Sequence, residues 1–349
     1  SRQILMDKLE QVTPGKLKNT LIMALGKTGG DESVKLILSM LESDDEEAEP
    51  EPETEKTIIS ALANLSSTGI KDRKVYSILT EYLANNDPEI RVLAISGIAA
   101  YKTAAATALL IPILKTEKSE EVQIELVKSL STDKNLSTIQ SFSALLQEPT
   151  TSNELKVVLI NAIGINTNGS KAVAPVVASL GSSNQEVRMA ASNSLEKLYP
   201  SNGPIVIGGI NRGISLSTDE LFLNEASDLL SRLADPGSIV TVLNLLGSPY
   251  PEVKKNATWT LYRMSPPDNV KVVTELQKLV TSETESTEVR INAVRALGSI
   301  GYDSARQEVW KTLRTTLKLK DEKYRMLKLY GIKAIGEMGT VNTEITEGL

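Results

Sequence analysis

Glu288-Val289-Arg290-Ile291-Asn292-Ala293-Val294-Arg295-Ala296-Leu297-Gly298 is the fullest version of a phrase that the chain writes ten times. The phrase is a Glu, an aliphatic residue, usually a basic residue, then small and apolar residues ending on Leu or Ile. Taking that last Leu or Ile as an anchor gives Leu25, Leu62, Ile98, Leu130, Ile163, Leu195, Leu229, Leu261, Leu297 and Ile335, spaced 32 to 38 residues apart. A repeat of this length marks a solenoid built from one small unit of secondary structure at a time.

The columns within the phrase have the spacing of a helix. Nine residues before the anchor stand Glu53, Glu89, Glu121, Glu154, Glu186, Glu220, Glu252 and Glu288. Eight before it stands an aliphatic residue in every repeat but one, where Thr54 intervenes. Positions zero, four and eight before the anchor fall on one side of a 3.6-residue spiral, and the Glu column falls on the other. Each phrase is therefore predicted to be an amphipathic helix. Asp87, Ser119, Ser152, Asn184, Thr218 and Ser286 stand two residues before the Glu as expected N-caps. A Glu in the first turn meets the positive end of the helix dipole, which accounts for that column without any function.

Between phrases lie second apolar-periodic segments, among them 33–41, 75–83, 139–146, 239–246 and 270–280. Two helices per repeat, short links and no alternating strand pattern predict an all-α stack of about ten helical pairs over residues 1–341, followed by a tail at 342–349. Small residues just before the anchor, such as Ala61, Gly97, Ala162 and Ala296, let packed helices approach closely. Pro112 and Pro175 should bend the first helices that hold them.

The run from Glu288 to Gly298, together with Asp87-Pro88-Glu89-Ile90-Arg91, resembles the short HEAT repeats of bacteria. The resemblance covers about residues 2 to 341. It implies an α-α superhelix, and a family whose members mostly bind other macromolecules and occasionally carry catalysis. The ankyrin Thr-Pro-Leu-His phrase is impossible here because the chain has no histidine, and the Trp-Leu-Gly-Tyr pattern of tetratricopeptide repeats is missing. A HEAT-type enzyme family, the deoxyhypusine hydroxylases, holds iron with His-Glu pairs, and that activity is excluded.

The lack of histidine and cysteine bounds the chemistry further. There is no disulfide, no thiolate nucleophile and no His- or Cys-ligated metal, and the side chain best suited to proton transfer near neutrality is missing, which leaves carboxylate-only chemistry open. A non-enzymatic protein without cofactor or metal is the expectation. No run approaches the roughly 18 apolar residues needed to cross a bilayer. A cysteine-free chain beginning at Ser1 carries the expectation of an exported or periplasmic protein over a cytoplasmic one.

Charge is unevenly spread. The net charge of −6 is dominated by 42–55, an acidic segment with Pro50 and Pro52 and no basic residue, read as a solvated loop insertion. Residues 306–333 reverse the sign, and Arg314, Lys318, Lys320, Lys323 and Arg325 form their basic patch. Self-association through these two segments follows as a hypothesis. A sequence pI near 5.2 and few aromatics argue against a nucleic-acid binder, although the basic C-terminal repeat keeps that alternative open.

Two columns bear on binding. The basic column seven before the anchor (Lys18, Arg91, Lys156, Arg188, Lys254, Arg290, Lys328) lies on the packed side, where each head should pair with an acid or carbonyl. Two before the anchor the chain reads outward, and Lys128, Asn161, Asn193, Trp259 and Arg295 make the candidate binding face on the concave surface. Trp259 is the bulky exception there, either an exposed anchor or a ring folded onto a neighbour. The seventh repeat, 203–235, is irregular, with four glycines and a proline over 203–213 that weaken a helix; an irregular or short helix is expected there, with a flexible joint or a contact point as the alternative. Together these features predict a non-catalytic scaffold or adaptor that holds a segment of a partner protein. The alternative is a structural component of a larger assembly.

Overall fold

The computed structural model describes residues 2–12, 15–41, 51–266, 269–300 and 306–338. The chain divides into two compact units, Ser1–Ala172 and Val173–Leu349. Among the described residues there are nineteen α-helices and no strand.

The first unit runs α1 (Arg2–Gln11), α2 (Lys16–Thr28), α3 (Asp31–Ser39), α4 (Pro52–Ser67), α5 (Arg73–Glu81), α6 (Pro88–Ala99), α7 (Ala104–Thr116), α8 (Glu120–Leu130), α9 (Leu136–Gln147) and α10 (Asn153–Ile165). The even-numbered helices are the phrases. Each packs on the next, α2 on α4, α4 on α6, α6 on α8 and α8 on α10, while the odd-numbered helices flank them.

The second unit runs α11 (Val173–Ala178), α12 (Gln185–Leu216), α13 (Glu220–Leu233), α14 (Ile239–Leu245), α15 (Pro251–Met264), α16 (Val270–Thr281), α17 (Thr287–Ile300), α18 (Arg306–Leu317) and α19 (Arg325–Glu337). Here the phrases are the first part of α12, then α13, α15, α17 and α19, again packed in succession. Nineteen helices make ten pairs because α12 serves twice. Its first part closes the sixth pair and the stretch after Asn202 opens the seventh.

All ten anchors are 5% exposed or less. Each buried Leu or Ile contributes about 2 kcal/mol by leaving water, so the repeated phrase supplies the core directly. All eight glutamates of the Glu column are exposed in the first turn of their helices, as the dipole argument requires. Four expected caps are present. Asp87 accepts from the Glu89 N–H, Ser152 from Leu155, Asn184 from Val187 and Ser286 from Val289. Ser119 makes no side-chain cap bond, and Thr218 is displaced by Asp219, which accepts from the Phe222 N–H at 2.7 Å.

Neighbouring phrase helices approach to backbone contact where glycine permits it. A Cβ at Gly26 would lie 2.7 Å from Ala61 Cα, and one at Gly298 would lie 2.7 Å from Ala334 Cα.

Two expectations need correction, and the seventh repeat takes a definite form. Pro52–Glu55 belong to α4 rather than to a loop, because Pro52 fits the first helical turn and Glu53 and Glu55 favour the dipole there; residues 42–50, like the tail 342–349, lie outside the described residues. Residues 203–216 form a helix, broken from the preceding part of α12 only at Asn202 (φ −138°, ψ 28°). Two of its glycines are there for close packing: a Cβ on Gly209 would meet Val173 Cγ1 at 2.6 Å, and one on Gly213 would meet Phe222 Cζ at 2.8 Å. Finally, Leu17 in the aliphatic column is 60% exposed, unlike its buried counterparts Ile90, Val122 and Val253.

Candidate functional site

Four of the seven residues of the basic column, Arg91, Arg188, Lys254 and Arg290, take structural roles. Arg91 makes a two-pronged ion pair with Glu117, at 2.9 and 3.0 Å, and also donates to the carbonyls of Asn85 and Asn86. Arg188 repeats the arrangement one unit on, donating to Glu225 and to the carbonyls of Ser182 and Ser183. Lys254 pairs with Glu285, and the buried Arg290 donates to the Val280 carbonyl. Glu225, which looks out of place in an apolar column of the seventh repeat, is there as the partner of Arg188. Burial pushes the Glu117 carboxyl up, but the Arg91 guanidinium and the N–H groups of Ser119 and Lys118 outweigh it and hold it below the usual carboxylate range.

The outward column divides between the units. In the first, Lys128 on α8 and Asn161 on α10 are exposed, and neither side chain makes a hydrogen bond or ion pair among the described residues. Lys128 sits at a depression of about 420 Å³ with Glu120, Glu121, Glu125 and Glu154. There burial pushes the Glu125 carboxyl up, against the opposing pull of the Ser129 hydroxyl and of Lys128. In the second unit Asn193 on α12 is exposed, whereas Ser227 of the same column is buried and accepts from Asn256 Nδ2 at 3.1 Å.

Trp259 and Arg295, expected as separate features, meet. The Arg295 guanidinium carbon lies 4.5 Å from the Trp259 ring centroid, 4.6 Å from that of Tyr262 and 5.4 Å from that of Tyr330. Trp259 and Tyr262 lie against each other with centroids 5.0 Å apart. Three consecutive phrase helices build the cluster. α15 supplies Trp259 and, one turn later, Tyr262; α17 supplies Arg295; α19 supplies Tyr330. Each cation–ring contact stabilises by about 0.5–1 kcal/mol in a partly exposed setting. Trp259 is therefore half-buried against neighbours yet still reaches the surface. Tyr262 was readable in the sequence from its position three residues after Trp259, on the same helix face. Tyr330 carried no such signal, since only the packing of α19 on α17 brings it in.

The basic patch is less unified than its sequence suggests. Arg314, Lys318 and Lys320 are exposed and without ion-pair partners among the described residues. Lys323 pairs with Asp321 at 3.4 Å and Arg325 with Glu322 at 3.6 Å. Such exposed pairs contribute little. Among the described residues no group of three or more acidic side chains could hold a metal ion, and no helix is long and apolar enough to cross a membrane.

Paired helices at a 32–38-residue period, with one buried anchor per pair and phrase helices stacked in succession, define an α-solenoid repeat protein. The profile of HEAT repeats matches residues 46–131 and 239–327, and the chain belongs to the HEAT-repeat family. Among solved structures it is similar to Kap121p bound to Nup53p, at 13% identity and a TM-score of 0.65, covering 97% of this chain and 41% of that one. Kap121p bound to Pho4p gives 13% and 0.64 over the same shares. The karyopherin Kap121p bound to the extreme C-terminus of the protein phosphatase Cdc14p gives 12% and 0.62, with the same coverage. At these identities the likeness is one of fold, and the chain spans about two fifths of the length of those proteins. No curated protein sequence matches the chain.

Proposed function

We propose that the protein is a non-catalytic scaffold that holds a segment of a partner protein against the face formed by its phrase helices. The observation that carries this is the Trp259–Tyr262–Arg295–Tyr330 cluster, where aromatic and cationic side chains from three successive repeats gather at the surface. Tryptophan, tyrosine and arginine are the residues that most often dominate binding energy at protein interfaces. The fold supports the same function: similar solenoids are described in complex with Nup53p, Pho4p and the Cdc14p C-terminus. A chain without histidine or cysteine also lacks the side chains that most enzymes use near neutrality.

The test is a partner capture with the full chain, followed by Trp259→Ala and Tyr330→Ala. Loss of the partner at unchanged helicity supports the function. Retention by both variants moves the interface elsewhere and overturns it.

Self-association through 42–55 and 306–333 is a second proposal, supported on its basic side by the exposed Arg314, Lys318 and Lys320, which have no ion-pair partner among the described residues. Sedimentation at low and high salt tests it. A salt-independent monomer at high concentration refutes it.

A further inference from the structure

The four residues of the cluster share a property beyond their proximity: all carry hydrogen-bond donors, and none of those donors has an acceptor among the described residues. Among the described residues three other arginines are buried or half-buried, and each donates within the protein, Arg91 and Arg188 to carboxylates and carbonyls, Arg290 to a carbonyl. Arg295 alone touches only rings. Tyr82, Tyr101, Tyr199 and Tyr250 donate their hydroxyls to Glu55, the Asp72 carbonyl, Asp235 and the Thr218 carbonyl. Tyr262, Tyr330 and the Trp259 indole N–H do not, and in this Tyr76 and Tyr324 are like them; what sets the cluster apart is the guanidinium at its centre.

A half-buried guanidinium has five N–H donors and ordinarily finds acceptors for them. Here three rings hold it in place and no oxygen of the described residues answers it. We propose that Arg295 is the receptor for a carboxylate, the Asp or Glu side chain of an acidic linear segment in the partner protein, with Trp259 seating an adjacent apolar side chain. This rests on the scaffold function proposed above and names the chemistry of its ligand. A planar guanidinium fork matches the two oxygens of a carboxylate. One cation balances one carboxylate, whereas a phosphomonoester at about −1.5 to −2 would remain under-neutralised. Because the rings already restrict the arginine, less side-chain freedom is lost when the ligand binds.

The probe is a phage-displayed random peptide library selected on the full chain. Selected peptides are expected to share an Asp or Glu at one position. Changing it to Asn or Gln should weaken binding at least tenfold to the native chain and leave binding to Arg295→Gln unaltered. Arg295→Lys, which keeps the charge and loses the fork, should also weaken binding, and circular dichroism of each variant checks the fold. If the acid-to-amide change costs the same with Arg295→Gln as with the native chain, the carboxylate does not meet Arg295 and the inference fails. If Trp259→Ala abolishes binding while Arg295→Gln does not, the docking face stands and only its chemistry is wrong. If no peptide is selected, or Trp259→Ala and Tyr330→Ala bind every peptide normally, the scaffold face itself is overturned. A phosphoserine at the shared position that binds more tightly than Asp or Glu would reassign the site from carboxylate to phosphate.

Discussion

Gly298 and Gly336 both follow an anchor by one residue, yet replacing each with alanine should move stability in opposite directions. In the helix interior alanine is favoured over glycine by about 0.8–1.0 kcal/mol. At Gly336 a Cβ would find nothing within 4 Å, so most of that gain should appear. At Gly298 the added carbon would stand 2.6 Å from Ala334 Cβ, 2.7 Å from its Cα and 3.0 Å from its carbonyl oxygen. Carbon atoms rest at about 3.5–4.0 Å, so α17 and α19 would have to separate by roughly 1 Å. Ala334 is backbone and methyl, with no flexible end to swing aside. Overpacking of this kind costs about 1–3 kcal/mol, which offsets or exceeds the propensity gain and leaves Gly298→Ala about 0–2 kcal/mol less stable than the native chain. Urea unfolding followed by circular dichroism at 222 nm measures both variants. The order of the two midpoints is the robust readout, because a repeat array can unfold in stages. A Gly298→Ala chain as stable as Gly336→Ala would show that the close approach of these helices is not a real constraint.

Other consequences are equally accessible. The Glu117 carboxyl is held below its unfolded value, so the stability it contributes is present above that value and lost as pH falls through the folded one. Glu117→Gln should therefore destabilise at neutral pH and matter much less once acid has protonated the carboxyl in the folded protein, checked by thermal melts across pH. Glu125 is raised by burial, so its contribution is fully present below the unfolded carboxylate value and lost as pH rises through the folded one. Glu125→Gln should be as stable as the native chain or more so at pH 7, with the difference vanishing in acid. Gly213→Leu should collide with Phe222 and Val177 and cost more than about 2 kcal/mol, while Gly208→Ala, with open space around it, should be neutral or stabilising.

Most of the architecture was legible because one helix pair is a short-range object. Within one phrase the anchor, the Glu and the cap, such as Asp87, Ser152, Asn184 or Ser286, lie within a dozen residues of one another, where helical geometry alone decides what faces what. The misreadings came where distant packing overrides local preference. Glycine propensity argued against a helix at 203–213, but Gly209 and Gly213 are there because Val173 and Phe222 press against them. Thr218 resembled a cap until the better placed carboxylate of Asp219 took its role. The binding face was half visible in the same way. Periodicity put Trp259 and Arg295 in one column, but their contact, and the arrival of Tyr262 and Tyr330 around the guanidinium, depend on how three helices separated by some thirty residues lie side by side.

The direct passage of α12 from the sixth pair into the seventh, through the single kinked residue Asn202, has an engineering consequence. Most pairs are joined by turns, and a turn absorbs an added residue by puckering outward. At Asn202 there is no turn, only one off-axis residue between two helical runs. Adding a residue there would rotate everything downstream by about 100°, swinging Gly209 and Gly213 off the side chains they fit. Anyone lengthening, shortening or shuffling this array would find the other junctions forgiving and this one rigid.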